Sequence, residues 1–208
     1  MVHKDTLGNE DGISDGEVQW MNSGSGIQHA ESLPESERML GVQLWLNLPQ
    51  KEKMSKPSYH SIKNADIEEI EFDGGYLRLL AGKYKDSEGF KGEHLPMNYY
   101  DIHLNENAQF TVDTKEYDSV MIFTLIGDVY VEGELIEEKT AAKLSNGDTL
   151  TIKNTDKKAQ VLFVSSKTLN EDIAWAGPIV MNTEEELRTA FDDLRNGTFI
   201  KEEIEFDA

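Results

Sequence analysis

The chain predicts an all-β protein, an antiparallel sandwich or barrel with one helix near its end. Three observations lead there: many short segments alternate apolar and polar residues, glycine and Asn/Asp pairs punctuate them, and a single stretch repeats at helical spacing. Val42, Leu44, Leu46 and Leu48 alternate with Gln43, Trp45 and Asn47, which predicts a strand. Further strands are predicted at Tyr76–Leu80, Tyr99–Leu104, Val120–Ile126, Val129–Val131, Thr149–Ile152 and Val161–Val164. Asp73-Gly74-Gly75, Gly127-Asp128 and Asn146-Gly147-Asp148 supply the turns between them. Short strands at this spacing suit an antiparallel sandwich or barrel. The helix is predicted at about 184–195. Thr183 caps it, Glu186 completes a capping box, Leu187, Ala190, Phe191 and Leu194 form its apolar stripe, and Asn196-Gly197 stops it. Ser32 to Leu40 reads as a long loop, and Gln50 to Pro57, with three lysines, as a mobile surface segment.

The 208 residues carry 20 basic and 40 acidic side chains, a formal charge of −20. Such a surface repels phosphates, so direct nucleic-acid binding through a basic groove is excluded and solubility is the plain meaning of the charge. No cysteine is present, which removes disulfides, thiolate metal sites, iron–sulfur clusters and cysteine nucleophiles. No apolar run reaches the roughly 18 residues of a membrane span, and Met1-Val2-His3-Lys4-Asp5 has no apolar leader core. A cytoplasmic protein is expected. There is no Gly-rich phosphate loop, no nucleophile-elbow serine and no His-Glu-x-x-His helix. Ser23-Gly24-Ser25-Gly26 has no helix behind it and does not read as a phosphate nest.

Ile13-Ser14-Asp15-Gly16-Glu17-Val18-Gln19-Trp20 echoes Leu144-Ser145-Asn146-Gly147-Asp148-Thr149-Leu150-Thr151. Each places an apolar residue, a serine, an Asx-Gly turn and an acid before a strand, the mark of two related units. Strand-rich sequence precedes the second copy from about Tyr99, and the first copy has no counterpart for it. The first unit is therefore expected to be incomplete.

Gly24-Ser25-Gly26-Ile27-Gln28-His29-Ala30-Glu31 is the segment that could carry chemistry. Its glycines permit a tight turn. In an extended strand His29 and Glu31, two apart, project to one face, where an imidazole and a carboxylate could reach one metal. A His/carboxylate set with open positions suits non-haem iron, and also manganese, nickel or zinc. The same spacing also marks an ordinary polar strand end, and spacing alone leaves both readings open. His3 reads as a surface strand residue, and His60, His94 and His103 as structural histidines.

Gly16 to Glu31 resembles the second cupin motif of the pirin family. So do Leu7-Gly8-Asn9, Val42-Gln43-Leu44-Trp45-Leu46-Asn47-Leu48-Pro49 and Gly177-Pro178-Ile179-Val180-Met181-Asn182-Thr183-Glu184-Glu185-Glu186, so the likeness runs from residue 3 to about 199. It implies a bicupin of two double-stranded β-helix sandwiches, with a metal, usually Fe(II), only in the N-terminal one. The expected domains are residues 1–94, an incomplete N-terminal cupin with connecting strands, and 95–208, a C-terminal cupin with the closing helix.

The resemblance makes His29 and Glu31 metal ligands and Glu31 the catalytic carboxylate of an iron-dependent dioxygenation of a flavonol such as quercetin. The family's earlier His-x-His ligand pair has no counterpart here, so two ligands remain and turnover is expected only if others come from elsewhere. The alternative function is a non-catalytic regulatory, protein-interaction or small-molecule-binding bicupin. A homodimer through exposed N-terminal strand edges is expected, with a further protein partner compatible with the charge.

Overall fold

The computed structural model describes residues 1–145 and 147–202, which group into two units. Unit 1 joins Met1–Lys63 to the chain from Leu169 onward, and unit 2 is Asn64–Thr168. Unit 1 contributes β1 (Val2–Asp5), β2 (Glu10–Gly12), β3 (Val18–Asn22), β4 (His29–Ser32) and β5 (Ser58–Ile62). They form a three-stranded sheet in the order β2-β1-β4 and a β3-β5 pair, all antiparallel.

Unit 2 follows with β6 (Glu68–Phe72), β7 (Gly75–Ala81), β8 (Lys83–Tyr84), β9 (Ser87–Glu88), β10 (Met97–Leu104) and β11 (Gln109–Asp113). It continues through β12 (Asp118–Ile126), β13 (Val129–Val131), β14 (Glu134–Ile136), β15 (Ala141–Leu144), β16 (Thr149–Asn154) and β17 (Ala159–Lys167). A six-stranded sheet, β15-β12-β17-β10-β7-β6, packs on a four-stranded sheet, β11-β16-β13-β14, around one apolar core. The pattern is visible in β11, where Phe110 and Val112 point in while Gln109, Thr111 and Asp113 point out. Near the middle of the larger sheet β17 is buried along almost its whole length, and Val161 and Phe163 are fully covered. Burial of each such side chain contributes about 1.5–3 kcal/mol. This is the two-sheet, all-β architecture that the alternation predicts.

The last elements return to unit 1: β18 (Ala174–Ala176), β19 (Ile179–Met181) and α1 (Glu184–Asn196). Thr183 Oγ1 accepts from the Glu186 amide at 3.2 Å, and Glu186 Oε2 accepts from the amides of Thr183 and Asn182 at 2.8 and 3.0 Å. Gly197, with φ +72°, ends the helix in the left-handed conformation that glycine adopts without a Cβ penalty. Leu187 is buried beside Ala174 and Ile179. None of the helices among the described residues is long and apolar enough to cross a membrane.

Two expectations meet a different structure. The boundary expected between residues 94 and 95 falls inside unit 2, because β7 pairs with β10 and cannot be separated from it, while α1 belongs with the N-terminal strands. Val42–Leu48 is not a strand. Period-two apolar spacing makes a strand only where another edge supplies ladder hydrogen bonds, and none pairs with it among the described residues. Val42 and Trp45 remain 43% and 54% exposed. Of the two echoing segments, Asn146 lies outside the described residues.

Candidate metal centre

The antiparallel pairing of β1 with β4 sets His3 opposite Glu31 and Asp5 opposite His29. Opposed residues of an antiparallel pair share a face, and so do residues two apart on one strand. His3, Asp5, His29 and Glu31 therefore stand as a two-by-two block on one face of the small sheet. One ligand atom from each of His3, His29 and Glu31 lies within 4.8 Å of the others, and among the described residues no other group of three His, Asp or Glu does this. His29 Nδ1 is 3.8 Å from Glu31 Oε1.

The donor set fits a metal. Two imidazoles and one carboxylate on one side, with the other side open, match the facial arrangement of non-haem Fe(II) sites. Metal–ligand bonds of about 2.0–2.2 Å place adjacent donors about 3 Å apart, so the present spacing needs a modest contraction. The side chains of His29 and Glu31, 30% and 36% exposed, are free to make it. His3 is not, being 1% exposed.

The ring of His3 is fixed from two sides. Tyr59 on β5 stacks on it at 4.3 Å between centroids with 10° between planes. Its Nε2 lies 2.9 Å from Asp5 Oδ2. The Tyr59 hydroxyl donates to Asp11 Oδ2 at 3.3 Å. Burial, and then the neighbouring Asp11 anion, push that hydroxyl up to about 12, so it stays protonated and neutral. Lys63 Nζ holds Asp11 in turn at 3.2 Å.

The turn that delivers β4 is built on Asn22 and two glycines. Buried Asn22 donates through Nδ2 to the Lys56 carbonyl at 2.9 Å and accepts at Oδ1 from the Gly24 amide at 3.2 Å. Gly24 has φ +45°, and a Cβ there would collide with the Ser55 carbonyl oxygen, which also accepts from the Ser25 amide at 2.8 Å. The segment Gln50–Pro57, expected to be mobile, is thus an anchor for this turn. Lys53 explains why. Its ammonium is buried and donates to Asn47 Oδ1 at 2.5 Å and the Leu48 carbonyl at 2.9 Å, so this lysine is spent inside the unit rather than on a solvated surface.

His29 and Glu31 stand together as their spacing predicts. His3 corrects an expectation: it is buried rather than on the surface, because β1 is the central strand of its sheet and Tyr59 covers it. A third potential donor thereby stands beside His29 and Glu31. The signal was present in His3-Lys4-Asp5, which has the same two-residue spacing as His29-Ala30-Glu31. The remaining histidines stand apart. His94 lies 3.7 Å from Glu93, and His103 pairs with Asp101 at 3.1 Å and stacks on Tyr76. His60 sits on β5, opposite Trp20 of β3.

Comparison with known proteins shows the family to which the chain is similar. Residues 1–46 match the pirin family model and residues 99–200 the model of the pirin C-terminal cupin domain. Pirin of Rattus norvegicus is 33% identical over 201 residues, spanning 94% of this chain and 69% of the rat protein. The crystal structure of quercetin 2,3-dioxygenase from Acinetobacter baumannii superposes with a TM-score of 0.83 at 32% identity, over 95% of this chain and 72% of that one. A bacterial pirin from Escherichia coli, solved in complex with nickel(II), shares the fold with a TM-score of 0.57 at 20% identity, over 80% of this chain and 68% of that one. The all-β cupin architecture and the similarity over nearly the whole chain make this protein a member of the pirin family.

Proposed function

We propose that this chain is a metal-dependent pirin in which His3, His29 and Glu31 hold a divalent ion, Fe(II) foremost, for dioxygenation of a flavonol such as quercetin. The observation that carries the reading is the convergence of two imidazoles and one carboxylate on one face of the β1–β4 pair. The dioxygenase name of the Acinetobacter protein and the nickel(II) of the Escherichia coli protein support the choice of chemistry.

A divalent ion held by these residues would supply oxygen activation and Lewis-acid polarisation of a substrate hydroxyl. The chain's own residues do the rest. His3, immobile between Asp5 and Tyr59, sets where the ion sits. His29 and Glu31, partly exposed on β4, close on it from the solvent side. A carboxylate has two oxygens, so Glu31 can ligate through one and take the flavonol hydroxyl proton on the other.

Anaerobic loading with Fe(II), followed by metal analysis and an oxygen-uptake assay with quercetin, tests the reading. Stoichiometric iron and uptake that is lost in Glu31→Ala are expected. Protein that retains no metal, or loaded protein that leaves quercetin unreacted, would overturn it in favour of a non-catalytic binding role.

A further inference from the structure

Beside the proposed centre stands a carboxylate that the ligand set does not use. The side chain of Asp5 is fully buried, a costly position for an anion unless hydrogen bonds compensate it. Its Oδ1 accepts from the amides of Leu7 at 2.9 Å and Asn9 at 3.1 Å, and from Asn9 Nδ2 at 3.1 Å. Its Oδ2 accepts from Asn9 Nδ2 at 3.0 Å and faces His3 Nε2 at 2.9 Å. The amide partners can only donate, so Asp5 acts as an acceptor at each of those four contacts. A lone pair on His3 Nε2 at 2.9 Å from that oxygen would be repelled; an N–H there completes the set. A neutral imidazole protonated at Nε2 carries its lone pair on Nδ1.

We infer that Asp5 is a positioning residue that holds His3 as the Nε2–H tautomer, so that Nδ1 is the atom His3 offers to a metal. This deepens the proposed function and rests on His3 being a ligand. Metal-bound histidines commonly donate their second ring N–H to a carboxylate, which fixes the ring and raises its basicity. Here the carboxylate is itself locked by a tight turn, since the Asp5 amide donates to the Asn9 carbonyl and the Gly8 amide to the Asp5 carbonyl, both at 3.1 Å. Tyr59 fixes the plane of the ring while Asp5 fixes its rotation about that plane's normal. His29 has no such buried acceptor in its register: the residue opposite it on β1 is Asp5, which is already engaged with His3.

Two measurements test this. Long-range nitrogen–proton NMR correlations on metal-free wild-type protein, at a pH where the rings are neutral, read the His3 tautomer directly. Pyrrole-like Nε2 and pyridine-like Nδ1 are expected; the reverse assignment overturns the proposal without any variant being needed. In Asp5→Asn the amide N–H₂ can face the ring, so the Nε2–H tautomer is expected to be lost and nickel(II) affinity by calorimetry to fall roughly 10–100-fold. An unchanged tautomer and an unchanged affinity in that variant also overturn it. If wild-type protein shows the expected tautomer, Asp5→Asn abolishes it and nickel(II) binds neither, the positioning role stands and the metal reading fails alone.

Discussion

Metal binding should be readable as a change in the local opening of the three-stranded sheet of unit 1. The strands flanking β1 in this sheet have little burial: every residue of β4 is exposed, and β2 has one partly covered residue between two exposed ones. Opening such an element costs little free energy, so its amides should exchange early. An ion held by His3 on β1 and by His29 and Glu31 on β4 must leave before the strands separate. At a nickel(II) concentration 100 times the dissociation constant, linkage adds about 2.7 kcal/mol to that opening and slows exchange of the bridging amides roughly 100-fold. The core of unit 2 provides an internal control. Ile102 and Val161, paired across β10 and β17 and fully buried, have no part in the site and should exchange at unchanged rates. Hydrogen exchange followed by NMR or mass spectrometry, with and without nickel(II), makes the measurement. His29→Ala and Glu31→Ala should remove the effect while shifting basal stability by no more than about 0.5 kcal/mol, as expected for partly exposed side chains. Protection that fails to appear with nickel(II) up to millimolar levels, or that persists in both variants, refutes the bridge between the strands.

Gly24→Ala should lower the melting temperature, since a left-handed backbone costs a non-glycine residue about 1–2 kcal/mol and the added Cβ must also displace the Ser55 carbonyl; an unchanged calorimetric melt would show that the turn is not tied to Ser55. Lys53→Ala should cost about 1–3 kcal/mol in urea unfolding by leaving the Leu48 carbonyl and Asn47 without their donor, and a neutral result would count against a buried anchor there. Thr183→Ala should cost about 1 kcal/mol by the same measurement through loss of the helix cap. The cap also sets a pH dependence. Hydrogen bonds from the Thr183 backbone first, and then from Asn182, hold the Glu186 carboxyl below its ordinary value, with Lys53 adding to the effect. A depressed carboxyl contributes stability above its unfolded pKa of about 4.3, and that contribution is lost as pH falls through the folded value. Amide exchange at Asn182 and Thr183 should therefore accelerate on acidification in wild type and be pH-insensitive in Glu186→Gln, apart from intrinsic chemistry.

What could be read in advance divides along a physical line. Local rules sufficed for α1, whose cap, stripe and stop all lie within fifteen consecutive residues, and for β7, β10, β12, β13, β16 and β17 of unit 2, where alternation as in β12 declares an inner face whatever the partner. They also sufficed to put His29 and Glu31 on one face, because two residues two apart on one strand share a face by geometry alone. They failed wherever the answer depended on a partner outside the local pattern, whether a few residues away or more than fifty. Val42–Leu48 has the alternation of a strand and no edge to pair with. Lys53 looks like a solvated cation until Asn47 and Leu48 fold back over it. His3 reads as a surface residue because nothing nearby in the chain reveals that β1 is the middle strand, or that Tyr59, more than fifty residues away, lies flat upon it.

The site is thus a property of register more than of any motif. His-x-Asp on β1 and His-x-Glu on β4 are each unremarkable dipeptide spacings, and only the pairing of His3 with Glu31 and of Asp5 with His29 turns them into a block of four. A slip of one residue between these strands would send one pair to the opposite face and leave no shared centre. Two features oppose such a slip. The turn between β1 and β2 is locked by the four contacts of Asp5 to Leu7 and Asn9. The turn into β4 is held at Gln28, whose amide donates to Thr6 Oγ1 at 3.1 Å while its carbonyl accepts from the Thr6 amide at 2.9 Å. Asp5 therefore serves twice, holding the turn through its amide contacts and facing the His3 ring at Nε2, so the placing of the first proposed ligand and of the turn beside the other two depends on one carboxylate.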